Sequence, residues 1–350
     1  MVAPSVRSVP IIPLPRRLLL TALAAAVLVV GLPSWAAADP LPSAVVALGD
    51  SAASGEGAGD YLPGTRGEGG DWCHRSPAAY VHRTGLADVG IDLACSGAGS
   101  THVGFGGPAH HTEGSQAARL VEVARSHRVP VVTLQVGAND EPDLSGTAVA
   151  CIRAFIEPVG PPCRETVGRV WADRLAAMEP RVEAAARDVR AAMREAGYPD
   201  DGYALVLLSY AAPGTEAMPL WHAFQGCPYS RPDAGWARTV AFPPLAAAIE
   251  RVAGRVGARF LDLTRIAEGR EACTGPLRDE WQRRLTVDPG SLVRGTLDAR
   301  ALHVFQESFH PTAAGHAAIG ACLAGFVRSG AQRGACVPEP DGSAHAEVRA

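Results

Sequence analysis

The sequence predicts an α/β fold, a three-layer α/β/α sandwich built on a mostly parallel sheet, and three observations predict it. Five short apolar, β-rich runs are each bounded by Gly, Pro or Asp, the mark of strands buried on both faces. Helical patterns lie between these runs, and such alternation argues for crossover-connected parallel strands. No Pro/Ser linker or internal repeat divides the chain, and a mature length near 310 residues is long enough to bury a full core.

The first run, 44–48, is Ala-Val-Val-Ala-Leu closed by Gly49-Asp50. A helical pattern at 77–84 precedes the second run, 91–94, which ends at Cys95-Ser96-Gly97. A helix over 115–127 leads to the third run, 131–136, which Gly137 closes. A long helical pattern spans 165–196 before the fourth run, 203–210. Helix 236–256, the fifth run 259–263 and a last helix at 312–326 complete the series. In open parallel sheets ligands bind beyond the carboxyl ends of the strands. The residues that follow each strand therefore carry the functional reading.

Composition excludes several chemistries. The 350 residues contain no lysine, so all 32 basic side chains are Arg, and Asn139 is the one asparagine. Schiff-base chemistry, pyridoxal-phosphate attachment, a Walker-type phosphate loop and a Ser-Lys dyad all need the missing amine. Codon bias in a GC-rich genome accounts for the Ala, Gly, Arg and Pro excess. Arg7, Arg16 and Arg17 precede an apolar run over 18–32 and then Ala36-Ala37-Ala38, the pattern of a signal peptide over 1–38. That run is too short and too near the start for a membrane span. Its removal takes three of the 32 basic residues and none of the 36 acidic ones, leaving 29 against 36, a net −7. The expected product is secreted, acidic and monomeric, with no nucleic-acid partner and no stable membrane insertion after cleavage.

Eight cysteines, Cys73, Cys95, Cys151, Cys163, Cys227, Cys273, Cys322 and Cys336, contain no Cys-x-x-Cys pair and no short Cys/His spacing of the structural-zinc kind. An even number in an exported chain points to disulfides rather than a metal. About a hundred pairings are open. Nearest-neighbour pairing is the expectation, each bond bracketing one loop between regular elements. The last residues, 337–350, read as a polar, disordered tail.

Four strand ends and helix starts carry chemistry. Gly49-Asp50-Ser51 follows the first strand, so Ser51 stands where a strand gives way to a turn and a helix N-terminus. Backbone N–H groups there suit a nucleophile whose own amide also donates to an oxyanion, while a plain helix cap is the competing account. Gly97 allows close approach of its N–H to a ligand, or simply makes a turn. Asn139 follows Gly137-Ala138 after the third strand, and its uncharged carboxamide can donate to a developing oxyanion. A turn asparagine is the alternative, weakened because this chain uses Asp, Gly or Ser in its other turns. Glu307-Ser308-Phe309-His310-Pro311 precedes the last helix, with Pro311 at a first helical position and Glu307 at turn spacing from His310.

In this order, Gly49-Asp50-Ser51, Gly97, Gly137-Ala138-Asn139-Asp140 and Glu307-x-x-His310-Pro311 resemble the four blocks of the SGNH (GDSL) hydrolase superfamily. The string Leu93-Ala94-Cys95-Ser96-Gly97-Ala98 and the cysteine layout are similar to its secreted actinobacterial lipase/esterase branch. The resemblance implies a hydrolase domain over 39–336 with a flavodoxin-like fold, a roughly five-stranded parallel sheet, no cofactor and no metal. It implies Ser51 as nucleophile, His310 as base and acid, and an oxyanion hole from the Ser51 and Gly97 N–H groups and the Asn139 side chain. The family usually has Asp where this chain has Glu307; a longer carboxylate can still reach the imidazole, and some relatives orient it with a backbone carbonyl. Gly-x-Ser-x-Gly is absent, which disfavours the α/β-hydrolase elbow.

The implied activity is hydrolysis of carboxylic esters, with a small-molecule or lipid ester as substrate. An O-acyl (acetyl) esterase or acyltransferase acting on extracellular polysaccharide or a secreted metabolite would share the apparatus. A catalytically silent binding domain, or a metal-dependent hydrolase using His102, His110, His111 or His316, are the rival classes. Substrate selection is expected in the segments 55–70, 104–114, 211–235 and 268–305, with Met218, Trp221 and Phe224 as an acyl-contacting wall or as ordinary loop packing.

Overall fold

The computed structural model describes residues 41–288, 290 and 303–349, so the expected signal peptide and part of segment 268–305 lie outside the described residues. Strand β1 (Ser43–Gly49) is followed after one residue by the single-turn helix α1 (Ser51–Ser54). Then come β2 (Val89–Asp92), the short α2 (Ser100–Val103), α3 (Gln116–Ser126) and β3 (Arg128–Gln135). Helices α4 (Leu144–Ile156) and α5 (Cys163–Glu195) lead to β4 (Ala204–Leu208). Helices α6 (Arg231–Trp236) and α7 (Phe242–Arg255) precede β5 (Arg259–Asp262). Helix α8 (Ala313–Ser329) and strands β6 (Arg333–Pro338) and β7 (Ala344–Arg349) follow.

The sheet runs β2-β1-β3-β4-β5-β6-β7, with all neighbours parallel except the last pair. Period-two alternation sends the side chains of β1 to two cores. Ala44, Val46 and Leu48 join the α3, α5 and α7 side with Leu120, Met178 and Ile249. Val45 and Ala47 face Tyr80, Ile319, Leu323 and Phe326 on the α8 side. Two buried apolar layers on one sheet make the three-layer sandwich, and they explain why the strands read as unbroken apolar runs.

The five expected parallel strands are joined by two more. Of the segment 337–350, expected as a disordered tail, residues 337–349 instead hold the end of β6 and the antiparallel β7, paired from Arg333–Arg349 to Pro338–Ala344. A turn closes this hairpin: the Glu339 carbonyl accepts from Gly342 N–H at 3.1 Å, and Gly342 takes a left-handed φ of 89°. The tail is polar because β7 is an edge strand with one solvated face. Helix α4 was also not anticipated. None of its residues is fully buried, and Leu144, Cys151 and Ala154 pack against the core from partly exposed positions.

The disulfides are Cys73–Cys95, Cys151–Cys163, Cys227–Cys273 and Cys322–Cys336, joining each cysteine to its neighbour in sequence. The first ties the segment beyond α1 to the end of β2, directly beside Gly97. Among the described residues no helix is long and apolar enough to cross a membrane.

Candidate active site

Ser51 begins α1 at the carboxyl end of β1, capped by Asp50, whose carboxylate accepts from the Ala52 N–H at 3.0 Å. Gln116 fixes the strand end before it. Its Oε1 accepts from Gly49 N–H and its Nε2 donates to Gly49 C=O, both at 2.8 Å. Gln116 lies on the buried face of α3 with Ala117, Leu120 and Val121. A polar residue on an apolar stripe is the signal by which the sequence could have shown it.

Ser51 and His310 meet across 259 residues: His310 Nε2 lies 2.7 Å from Ser51 Oγ. The other ring nitrogen, Nδ1, lies 2.9 Å from the Ser308 carbonyl, which can only accept. Nδ1 therefore carries the proton and the Nε2 lone pair faces the serine hydroxyl, the tautomer a general base needs. Burial lowers the imidazole's affinity for a proton below the ordinary histidine value, while Glu56, the Ser308 carbonyl and Glu307 oppose that shift. The neutral, proton-accepting form is thus the resting form at neutral pH.

The sequence expectation that Glu307 orients His310 is corrected here. Phe309 adopts a left-handed backbone, φ 63°, which folds the Ser308 carbonyl back under the ring and fills the Nδ1 position. Glu307 lies instead near Arg283, 4.0 Å from its guanidinium, and close to Tyr61. Glu307→Ala is accordingly expected to lower kcat less than about tenfold, against on the order of 10³-fold or more for His310→Ala. Steady-state kinetics on a nitrophenyl ester with both variants checks this, and equal losses would contradict it.

Gly97 and Asn139 come to the same strand ends. Asn139 Nδ2 donates to the Ala98 carbonyl at 3.1 Å, which ties the Gly97 turn to the end of β3 and leaves the amide a second N–H. Tyr210 links this group to the serine turn, donating to Asp50 Oδ2 at 2.6 Å and accepting from Ala138 N–H at 3.2 Å. Burial pushes the Asp50 carboxyl up to about 7, against the opposing hydrogen bonds from Tyr210 and Ala52. Gly97 is solvent-accessible, and neither its N–H nor that of Ser51 has a hydrogen-bond partner among the described residues.

The histidines weighed as metal ligands lie elsewhere or are committed. His316 is buried in α8, where its Nδ1 accepts from Tyr80 N–H at 3.3 Å. His102 Nδ1 accepts from Gly99 N–H, and His110 Nε2 donates to the Ser96 carbonyl. The described side chains close enough to share an ion are Cys95 with His110 and His111, and Cys73 with Cys95 and Glu113. Both sets depend on a sulfur of the Cys73–Cys95 disulfide, which is no thiolate ligand. Met218 is fully buried, whereas Trp221 and Phe224 are 60% and 96% exposed, so these three do not form one wall.

A family model described as the GDSL-like lipase/acylhydrolase family matches residues 47–318. Among solved structures, phospholipase A1 from Streptomyces albidoflavus aligns with a TM-score of 0.52 at 23% identity, covering 79% of this chain and 94% of that one. The extracellular lipase from Streptomyces rimosus aligns with a TM-score of 0.48 at 21% identity, covering 78% and 94% respectively. At 23% identity the likeness to the phospholipase is one of fold. No curated protein matches the sequence.

Proposed function

Because the chain belongs to the GDSL-like lipase/acylhydrolase family and is a carboxylic ester hydrolase, we propose that it is a secreted, monomeric serine esterase or lipase working through an acyl-enzyme on Ser51. The observation that carries this reading is the 2.7 Å approach of Ser51 Oγ to a His310 Nε2 whose partner nitrogen is already committed. As Ser51 attacks the ester carbonyl carbon, its proton passes to Nε2 and the carbonyl oxygen becomes an oxyanion. The free Ser51 and Gly97 N–H groups and the second N–H of Asn139 receive that charge. Nε2 then returns the proton to the departing alcohol, and water repeats the sequence to release the acid. The four disulfides support an oxidising, extracellular setting.

A water-insoluble ester is the better-supported substrate. Residues 217–230 contain no Asp, Glu, Lys or Arg, and present Leu220, Trp221 and Phe224 at 79%, 60% and 96% exposure. This stretch reaches the site through Tyr229, whose ring lies 5.7 Å from that of Phe309, the neighbour of His310. Exposed aromatic side chains on an uncharged loop suit contact with an aggregated lipid ester. A Trp221→Ser/Phe224→Ser protein is expected to lose about tenfold in activity on an emulsified long-chain ester while staying within about twofold on a soluble short-chain ester. Rates across a chain-length series check this. A wild-type preference for acetate esters would instead favour the O-acetyl esterase reading.

A further inference from the structure

One buried carboxylate beside the site takes no part in the chemistry above. Glu56 follows α1 by two residues and is fully buried. His74 Nδ1 donates to its Oε1 at 3.0 Å, the Tyr61 hydroxyl donates to the same oxygen at 3.1 Å, and Gln306 Nε2 donates to Oε2 at 2.8 Å. Gln306 lies four residues before His310, so Glu56 ties the turn after the nucleophile to the loop that carries the base. The next residue, Gly57, packs directly on that base. A Cβ at Gly57 would lie 2.8 Å from His310 Cβ and 2.7 Å from the Pro311 carbonyl, and its φ of 83° is left-handed, so only glycine fits. Arg283 fastens the two segments, its Nε donating to Gly57 C=O at 2.6 Å and its backbone N–H to His310 C=O at 2.8 Å.

We propose that Glu56 is a positioning residue for the reaction, its buried negative charge favouring the His310 imidazolium that forms when Nε2 takes the Ser51 proton. The inference rests on the Ser51–His310 reading. No guanidinium donates a hydrogen bond to Glu56 among the described residues; its partners are His74, Tyr61 and Gln306, and the Ser96 hydroxyl also bears on it. A buried carboxylate that no guanidinium neutralises favours positive charge on the imidazoles around it, and Glu56 bears on His310 as well as on His74. Burial alone would raise the Glu56 pKa, yet His74 and His310 hold it below the usual carboxylate range, so the carboxylate is ionised throughout the working pH. The groups that bear on His310 are Glu56 and His74 from the 55–76 segment, Glu307 from its own loop, Arg283 beside it and His316 from α8. Glu56 therefore supplies the charge that Glu307 was expected to bring, without touching the ring.

The test is the pH profile of kcat/KM for Glu56→Gln on a soluble nitrophenyl ester. Removing the charge makes the imidazolium less stable, so the acid limb moves to lower pH by about one unit. The plateau kcat falls about tenfold or more because the weaker base is less stabilised in the transition state, and KM changes little. A variant damaged only in structure would lose plateau activity without moving the limb, and an unmoved limb in folded Glu56→Gln overturns the proposal. If Glu56→Gln does not fold, Glu56→Asp decides: with the charge retained, its limb is expected within about 0.3 unit of wild type, and a shift of a full unit overturns the proposal. Labelling of wild-type Ser51 by a serine-directed phosphonate tests the underlying reading separately: failure to label overturns the Ser51–His310 reading, whereas labelling together with an unmoved Glu56→Gln limb leaves that reading standing and overturns this proposal alone.

Discussion

Ser51→Ala is expected to reduce hydrolysis of a nitrophenyl ester by on the order of 10⁴–10⁶-fold while leaving the fold intact. Among the described residues the serine hydroxyl is the group placed to give its proton to His310 Nε2, across a 2.7 Å contact. Its removal costs one hydrogen bond, worth about 1 kcal/mol, so thermal unfolding should shift by only a few degrees. His310→Ala should be nearly as severe, and the double variant no worse than the worse single one, because the two groups act as a unit. Wild-type-like turnover in purified, folded Ser51→Ala would end the assignment of the nucleophile.

The second large effect belongs to Asn139. On the proposed reading its second N–H joins the Ser51 and Gly97 N–H groups as a third oxyanion donor, and loss of one such donor costs about 10²–10³-fold in kcat. Asn139→Ala is expected to fall in that range with KM little changed, since the oxyanion exists only in the transition state. The substitution also removes the hydrogen bond to Ala98, so the same loop that carries Gly97 loses a tie. Asn139→Asp separates the two roles: its carboxylate cannot donate to either oxygen and repels the developing charge, so its kcat should be lower still. A loss expressed in KM with kcat preserved would instead place Asn139 in ground-state binding.

The sequence made the frame and the reacting pair legible for a physical reason. Strands buried on both faces must be apolar throughout, so their ends stand out, and in a parallel sheet the ends facing one way gather into one place. Ser51, Gly97 and Asn139 each follow such an end, and His310 precedes a helix, so their positions in the chain already described a meeting point. What stayed hidden depends on backbone angles and on burial. Spacing of three residues suggested Glu307 as the partner of His310, but a left-handed Phe309 brings Ser308 there instead. Glu56 sits in a glycine-rich stretch that reads as open loop, and only the fold shows it fully enclosed. Strand β7 was hidden by its own exposure, because an edge strand with a solvated face shares its composition with a tail.

That last strand has a practical consequence. Six strands point their carboxyl ends the same way, and Ser51, Gly97 and Asn139 follow three of them, whereas β7 runs back and sets Arg349 opposite Arg333, at the start of β6. In the sheet order it is also four strand spacings from β3, roughly 19 Å. An affinity tag, a surface tether or a fused module attached beside Arg349 would leave from the far corner of the sheet, away from the strand ends that Ser51 and Asn139 follow. With no lysine side chain for amine coupling, that corner is the natural point at which to immobilise the enzyme.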